Sequence, residues 1–143
     1  MTLLHIGCGN RKYKGFVNVD KEMDISKPWP YEDESVDGIV SMMVLQCLQW
    51  KDLVFAFKEM KRVLKPGGVM RHGVNLVEAN FPRLFLYGAN INLFSFDLLK
   101  NILVDRLGFS SFRRCEFRES ALPELARVDN RRGKGTLYVE AVK

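Results

Sequence analysis

Short apolar runs alternate along this chain with runs spaced for helices, and that alternation leaves few folds open. Leu3-Leu4-His5-Ile6, Phe16-Val17-Asn18-Val19, Val36 to Met42 and Val69 to Val74 each read as a short strand. Leu53, Phe57, Met60 and Leu64 fall on one helix face at spacings of three and four. Asp52 is placed to cap that helix and Pro66-Gly67-Gly68 to stop it. A second helix is expected to start at Ser95, run through Leu98, Leu99, Ile102 and Leu103, and end at Gly108. Cys115-Glu116-Phe117 and Thr136 to Val142 read as closing strands around an exposed turn at Arg131-Arg132-Gly133-Lys134-Gly135. Strands separated by helical runs imply an α/β fold with a mostly parallel sheet and crossover helices.

The 143 residues fit a single domain, 1–143, and 47% hydrophobic with 27% charged residues suffices for an ordinary globular core. No apolar run has the length of a bilayer span and the N-terminus lacks a signal-peptide pattern, so no membrane partner is expected. The three cysteines, Cys8, Cys47 and Cys115, are far apart and outside any CxxC pair. That argues against a disulfide framework and a metal centre, and for a reducing, cytoplasmic setting. The formal net charge is +5. Arg11, Lys12 and Lys14 lie near the start, and Arg113, Arg114, Arg118, Arg127, Arg131, Arg132 and Lys134 near the end. Such dispersion suits a solvated basic surface, and attraction to nucleic acid or another anionic partner stays open beside it.

Chemistry concentrates at the first strand end. Gly7-Cys8-Gly9 leaves backbone groups bare at the carboxyl edge of the sheet, where open α/β sheets bind ligands. The glycines allow a sharp turn and let a ligand approach without meeting a Cβ. Asp20, ending the next strand, adjoins the same crevice, and a carboxylate there accepts from both hydroxyls of a ribose. A dinucleotide site would need GxGxxG and an acidic residue about 20 positions on. Lys12 stands where the third glycine belongs and Asp20 comes too soon, which disfavours it.

Further stretches complete a pattern: Val17-Asn18-Val19-Asp20, Asp24-Ile25, Pro30-Tyr31-Glu32-Asp33-Glu34-Ser35-Val36-Asp37-Gly38-Ile39-Val40-Ser41, Val44-Leu45, and above all Arg62-Val63-Leu64-Lys65-Pro66-Gly67-Gly68. In order and spacing, residues 3–71 resemble the compact class I S-adenosylmethionine (SAM)-dependent methyltransferases of the type 11 kind. Leu107-Gly108-Phe109 and the closing Leu137 to Lys143 fit that family's ending. The resemblance implies a Rossmann-like sheet with an antiparallel C-terminal strand, methyl transfer from SAM, and S-adenosylhomocysteine as product. It also implies roles. Gly7, Cys8 and Gly9 would line the methionine half of SAM. Asp20 would hold the ribose, and Lys21 would cover one adenine face. Asp24 would accept from the adenine amino group beside Ile25, and Ser41 and Met42 would lie near the amino-acid end.

Departures from the family narrow the reading. Only Asn10 to Gly15 separates the glycine loop from the second strand, too little for a normal crossover helix, so the first helix is shortened or absent. Leu45-Gln46-Cys47 replaces the Leu-Glu-His of many relatives, removing an acid/base pair. The chain starts close to its first strand, so the N-terminal helices that cover the substrate in many relatives are expected to have no counterpart. Leu76 to Phe96, with Phe81, Phe85, Tyr87, Phe94 and Phe96, reads as packed core, acceptor-pocket wall or dimer face. His5 reads as a sheet residue, while His72 and Glu78 are the candidate bases and no residue is assigned as catalytic. The expected acceptor is a small molecule or sugar-type metabolite. An RNA or protein methyltransferase and a non-catalytic SAM-fold binding or scaffold subunit remain the alternatives.

Overall fold

The computed structural model describes residues 1–79 and 92–143. Six strands form one sheet: β1 (Leu3–Ile6), β2 (Val17–Val19), β3 (Val36–Met42), β4 (Leu64–Asn75), β5 (Ser111–Cys115) and β6 (Thr136–Val142), in the order β2-β1-β3-β4-β6-β5. β1 is parallel to β2 and β3, and β3 to β4, while β6 lies antiparallel between β4 and β5. The α/β sheet is thus mostly parallel with an antiparallel C-terminal strand, as expected. All residues of β1 are buried, which is why it reads as a continuous apolar run rather than an alternating one.

Each face of the sheet carries its own core. Leu4, Ile6, Ile39, Met70 and Val74 pack on one side with residues of α1 (Trp50–Val63) and α2 (Phe96–Lys100). Leu3, Val40, Met42 and Val69 pack on the other with Tyr13, Phe16, Leu125 and Val128. The shortening expected of the first helix is complete, for residues 7–16 contain turns and no helix. Asn18 organises this connection instead. Its side chain accepts from Tyr13 N–H at 2.9 Å and donates to the Tyr13 and Phe16 carbonyls at 2.9 and 3.1 Å.

α1 begins at Trp50 after Gln49, so Asp52 lies in its first turn, where a negative charge favours the helix dipole, rather than at its cap. The helix passes straight into β4, with Leu64 already paired to Val36. Pro66-Gly67-Gly68 is therefore part of the strand's irregular lead-in rather than only a helix stop. Gly67 has φ +77°, its N–H donates to the Lys143 carbonyl at 3.0 Å, and Lys143 N–H donates to the Gly68 carbonyl at 3.1 Å. Arg62 joins two of the sequence motifs. It donates to Glu59 and Asp33 (2.8 and 2.7 Å) and to the carbonyls of Tyr31 and Trp29 (2.9 and 3.2 Å).

Ser95 caps α2 as expected, its hydroxyl accepting from Leu98 N–H at 3.2 Å. The chain then widens into a π-helical turn at Asn101–Arg106 and leaves through Gly108 (φ +70°). β5 occupies Ser111–Cys115 rather than the expected Cys115 to Phe117. It is the sheet's edge, and exposed Arg113 and Arg114 hide its apolar pattern. A short helix, α3 (Pro123–Ala126), buries Leu125 and Ala126 and has no counterpart in the sequence reading. No helix among the described residues is long and apolar enough to cross a membrane.

Candidate functional site

The carboxyl ends of β1, β2, β3 and β4 converge on the glycine loop. Gly7 and Gly9 have φ of +65° and +50°, a region other L-residues rarely enter. At Gly7 packing adds a second requirement, since a Cβ there would come within 2.3 Å of Val44 Cγ2. At Gly9 a Cβ would meet only open space. Cys8 N–H donates to the Val19 carbonyl at 3.1 Å, tying the loop to the end of β2 next to Asp20. Arg11 N–H closes the turn onto the Cys8 carbonyl at 2.9 Å. On the other side Met43, with φ +60°, donates its N–H to the Gly73 carbonyl at 2.8 Å, linking the ends of β3 and β4.

An open cavity of about 510 Å³ lies on this edge, lined by Gly7, Cys8, Gly9, Asn10 and Arg11, by Met42 and Met43, and by Asn130 and Arg131. Its volume falls within the roughly 300–1,000 Å³ of small-molecule sites. His5 also contributes to its wall. Its ring lies edge-on to Tyr13 at 5.5 Å and 3.2 Å from the Asn18 amide oxygen. Burial lowers its pKa, against the raising effect of the hydrogen bond its ring donates to Asn18, so His5 is neutral near pH 7. Burial, followed by the charges of Asp20 and Glu22, raises the Cys8 thiol and keeps it protonated. A neighbouring cavity of about 540 Å³, between Asn75 at the end of β4 and Thr136 at the start of β6, shares Asn130 and Arg131 with the first.

Of the residues singled out from sequence, Gly7, Cys8, Gly9 and Met42 meet at the first cavity. Asp20 sits half-buried beside it at the end of β2, Lys21 is exposed, and Ile25 packs partly into the core. None of these three lines the cavity. Asp24 is exposed and its carboxylate closes its own turn, accepting from Ser26 N–H at 3.0 Å and Ser26 Oγ at 2.6 Å and pairing with Lys27 at 3.3 Å. The Ser26 hydrogen bonds hold its pKa down. Ser41 turns its hydroxyl away, to His72 Nδ1 at 2.7 Å on the α1 face. His72 is buried, and desolvation followed by the Arg71 charge lowers its pKa to about 3. A ring so placed is neutral and shielded from solvent, unlike a base poised near neutral pH. Glu78 is exposed and lines neither cavity. Most of the Leu76–Phe96 segment, including Phe81, Phe85 and Tyr87, lies outside the described residues, while Phe94 is core. Among the described residues no three His, Cys, Asp or Glu side chains gather as metal ligands.

Sequence reasoning missed Asn130 and Arg131 as cavity residues, having read Arg131 as part of an exposed turn. Their placement depends on distant residues. Arg71, fully buried on β4, donates to Asp129 at 3.0 and 2.6 Å, to Glu140 at 3.2 Å and to the Glu116 carbonyl at 3.1 Å. Burial opposes its charge, but Asp129 and Glu140 more than offset that, and its pKa is raised. The Arg71 guanidinium also lies 5.0 Å from the ring centre of Tyr138. The Tyr138 hydroxyl accepts from Arg131 N–H at 3.2 Å and donates to the Arg131 carbonyl at 2.7 Å. Position 131 is thus held from the sheet interior. Nothing local in the sequence announces this.

Comparison with known proteins agrees with this geometry. A family model described as a methyltransferase domain matches residues 11–71. No curated protein matches the chain. Among solved structures, a SAM-dependent methyltransferase from Archaeoglobus fulgidus superposes with a TM-score of 0.72 at 15% identity, covering 99% of this chain and 86% of the other. A SAM-dependent methyltransferase from Thermotoga maritima gives 0.67 at 18%, covering 99% and 82%. A chain from the complex of the Haloferax volcanii Trm112 methyltransferase activator with a methyltransferase gives 0.69 at 17%, covering 99% and 81%. At these identities the superpositions establish the fold, which is the Rossmann-like fold of class I methyltransferases. The methyltransferase-domain match begins at residue 11, just past Gly9, and ends at Arg71 in β4, so it spans β2, β3, α1 and the Pro66-Gly67-Gly68 join. With that match on this fold, the chain is a SAM-dependent methyltransferase, and SAM is its cofactor.

Proposed function

We propose that this protein, as one domain, transfers the methyl group of SAM to a small-molecule or sugar-type acceptor bound in the cavity between Asn75 and Thr136. The observation that carries this reading is the junction of two cavities at Asn130 and Arg131. One adjoins the glycine loop and the other opens at the end of β4, so a donor and an acceptor can lie side by side.

Gly7, Cys8, Gly9 and Met42 would enclose the methionine half, and Asp20 would accept from the ribose hydroxyls. Lys21 and Ile25 would flank the adenine, and Asp24 would reach its amino group by exchanging the Ser26 bonds that now hold it. Ser41 would act through the backbone of the β3 end, since its hydroxyl is engaged by His72. When bound, SAM supplies a sulfonium that activates the methyl group. The protein's contribution is then mainly orientation, which supplies on the order of 7–11 kcal/mol in favourable cases. The fit rests on the two left-handed glycines, the open space over Gly9 and the cationic side chain of Arg11, which suits a carboxylate. No described residue lining the acceptor cavity is a carboxylate or a histidine, which favours an acceptor that loses its proton readily or attacks as a neutral amine.

Calorimetry with S-adenosylhomocysteine tests the reading. Saturable binding that Asp20→Ala weakens about tenfold is expected, in line with loss of charge-assisted hydrogen bonds. Absence of binding by the unaltered protein would sink it.

A further inference from the structure

We propose that the acceptor is an oxyanion-bearing small molecule, a phosphate ester or a carboxylate, whose charged group is held by Arg131 and Arg132. The inference rests on the methyl-transfer reading for the name acceptor, though not for the anion site itself.

Three observations support it. First, the cavity between Asn75 and Thr136 is lined by Arg131 and Arg132 together with Asn130, and by no carboxylate among its described residues. A cavity whose charges are all positive attracts anions and rejects cations. Second, Arg131 makes no ion pair among the described residues, whereas Arg62, Arg71 and Arg113 are each paired with carboxylates. Its backbone is nevertheless clamped on both sides by the Tyr138 hydroxyl, at 3.2 and 2.7 Å. An unspent guanidinium on a fixed backbone is a prepared anion receptor, since little is left to order on binding. Third, Arg132 is steadied by stacking on the Phe117 ring, 5.1 Å from its centre, and Arg118 lies 5.3 Å from the same centre. Stacking on an aromatic face leaves the guanidinium edge free to donate to an oxyanion.

Arg131 also borders the glycine-loop cavity, so it stands between the proposed donor and the oxyanion. An acceptor anchored by its charged group on Arg131 and Arg132 would place a neighbouring hydroxyl or amine toward the donor. This is recognition at a distance from the reacting atom, which restrains orientation without taking part in the chemistry.

The test titrates pyrophosphate and malonate into the full chain, with and without saturating S-adenosylhomocysteine, for the unaltered protein and for Arg131→Gln and Arg132→Gln. Both side chains are exposed, so the variants should fold, and unchanged circular dichroism and melting temperature check this. Saturable binding of at least one anion, weakened about tenfold or more by each variant, is expected. The anion preferred, pyrophosphate or malonate, tells a phosphate ester from a carboxylate. Absence of anion binding in both states, or binding indifferent to both substitutions, overturns the proposal. So does a tenfold loss of S-adenosylhomocysteine affinity in Arg131→Gln with 5′-methylthioadenosine affinity unchanged, because Arg131 would then hold the cofactor's carboxylate. Arginine-dependent anion binding by a protein that never binds S-adenosylhomocysteine would uphold the anion site and remove the methyl-transfer reading instead.

Discussion

Arg71 and Asp129 meet side-on in the interior, with two hydrogen bonds of 3.0 and 2.6 Å and both side chains wholly removed from solvent. The pair joins β4 to the segment leading into Asn130 and Arg131, and Asp129 also accepts from Arg118 N–H at 2.8 Å. Breaking a buried ion pair leaves a desolvated charge without a partner, which typically costs about 3–5 kcal/mol. Asp129→Ala should therefore lower the unfolding free energy by about that amount, measured by urea denaturation. A loss below about 1 kcal/mol would mean that Glu140 alone compensates Arg71.

Gly7→Ala meets two obstacles, a φ of +65° and a Cβ 2.3 Å from Val44 Cγ2. Gly9→Ala meets only the first. Both variants should lose stability, with Gly7→Ala losing more, by about 1–3 kcal/mol for the added overpacking. Equal melting temperatures for the two would show that Val44 moves aside freely.

His72 makes stability fall with acid. Its folded pKa lies near 3, below the ordinary 6.5, so between those values the unfolded chain binds a proton that the folded chain refuses. The contribution is present above about pH 6.5 and declines as pH drops toward 3. His5, also lowered, acts in the same direction. His72→Leu should flatten the fall of unfolding free energy across that window by up to about 1.4 kcal/mol per pH unit. An unchanged slope would place His72 in contact with water.

Asp20 and Asp24 should behave differently toward S-adenosylhomocysteine. Asp20 makes no side-chain hydrogen bond among the described residues, whereas the Asp24 carboxylate is engaged by Ser26 and Lys27. Asp20→Ala is expected to weaken binding by about tenfold and Asp24→Ala by distinctly less, read by calorimetry. Equal losses would show that the turn at Asp24 opens to meet the adenine.

Much of the parallel half was legible in the sequence because its signals are local. The run Leu3 to Ile6, the glycines after it and the helix-spaced Leu53, Phe57 and Met60 carry their structure in neighbouring residues, and β1, β3 and α1 form there. Departures came where a partner distant in sequence decides. Pro66-Gly67-Gly68 joins β4 because Lys143 bonds both glycines, and β5 sits at Ser111–Cys115 because β6 sets its register.

The candidate site divides in the same way. The sequence by itself determined the glycine loop, with Asp20 at the next strand end, because strand termination and positive φ depend on residue type over a few positions. Only the tertiary structure decided that Ser41 turns its hydroxyl to His72, that Asp24 closes its own turn, and that Arg131 stands between two cavities. The last depends on a buried charge cluster and on a tyrosine hydroxyl, contacts between strands and loops far apart in the chain. Local pattern cannot encode them, since each becomes favourable only once the sheet has brought its partners together.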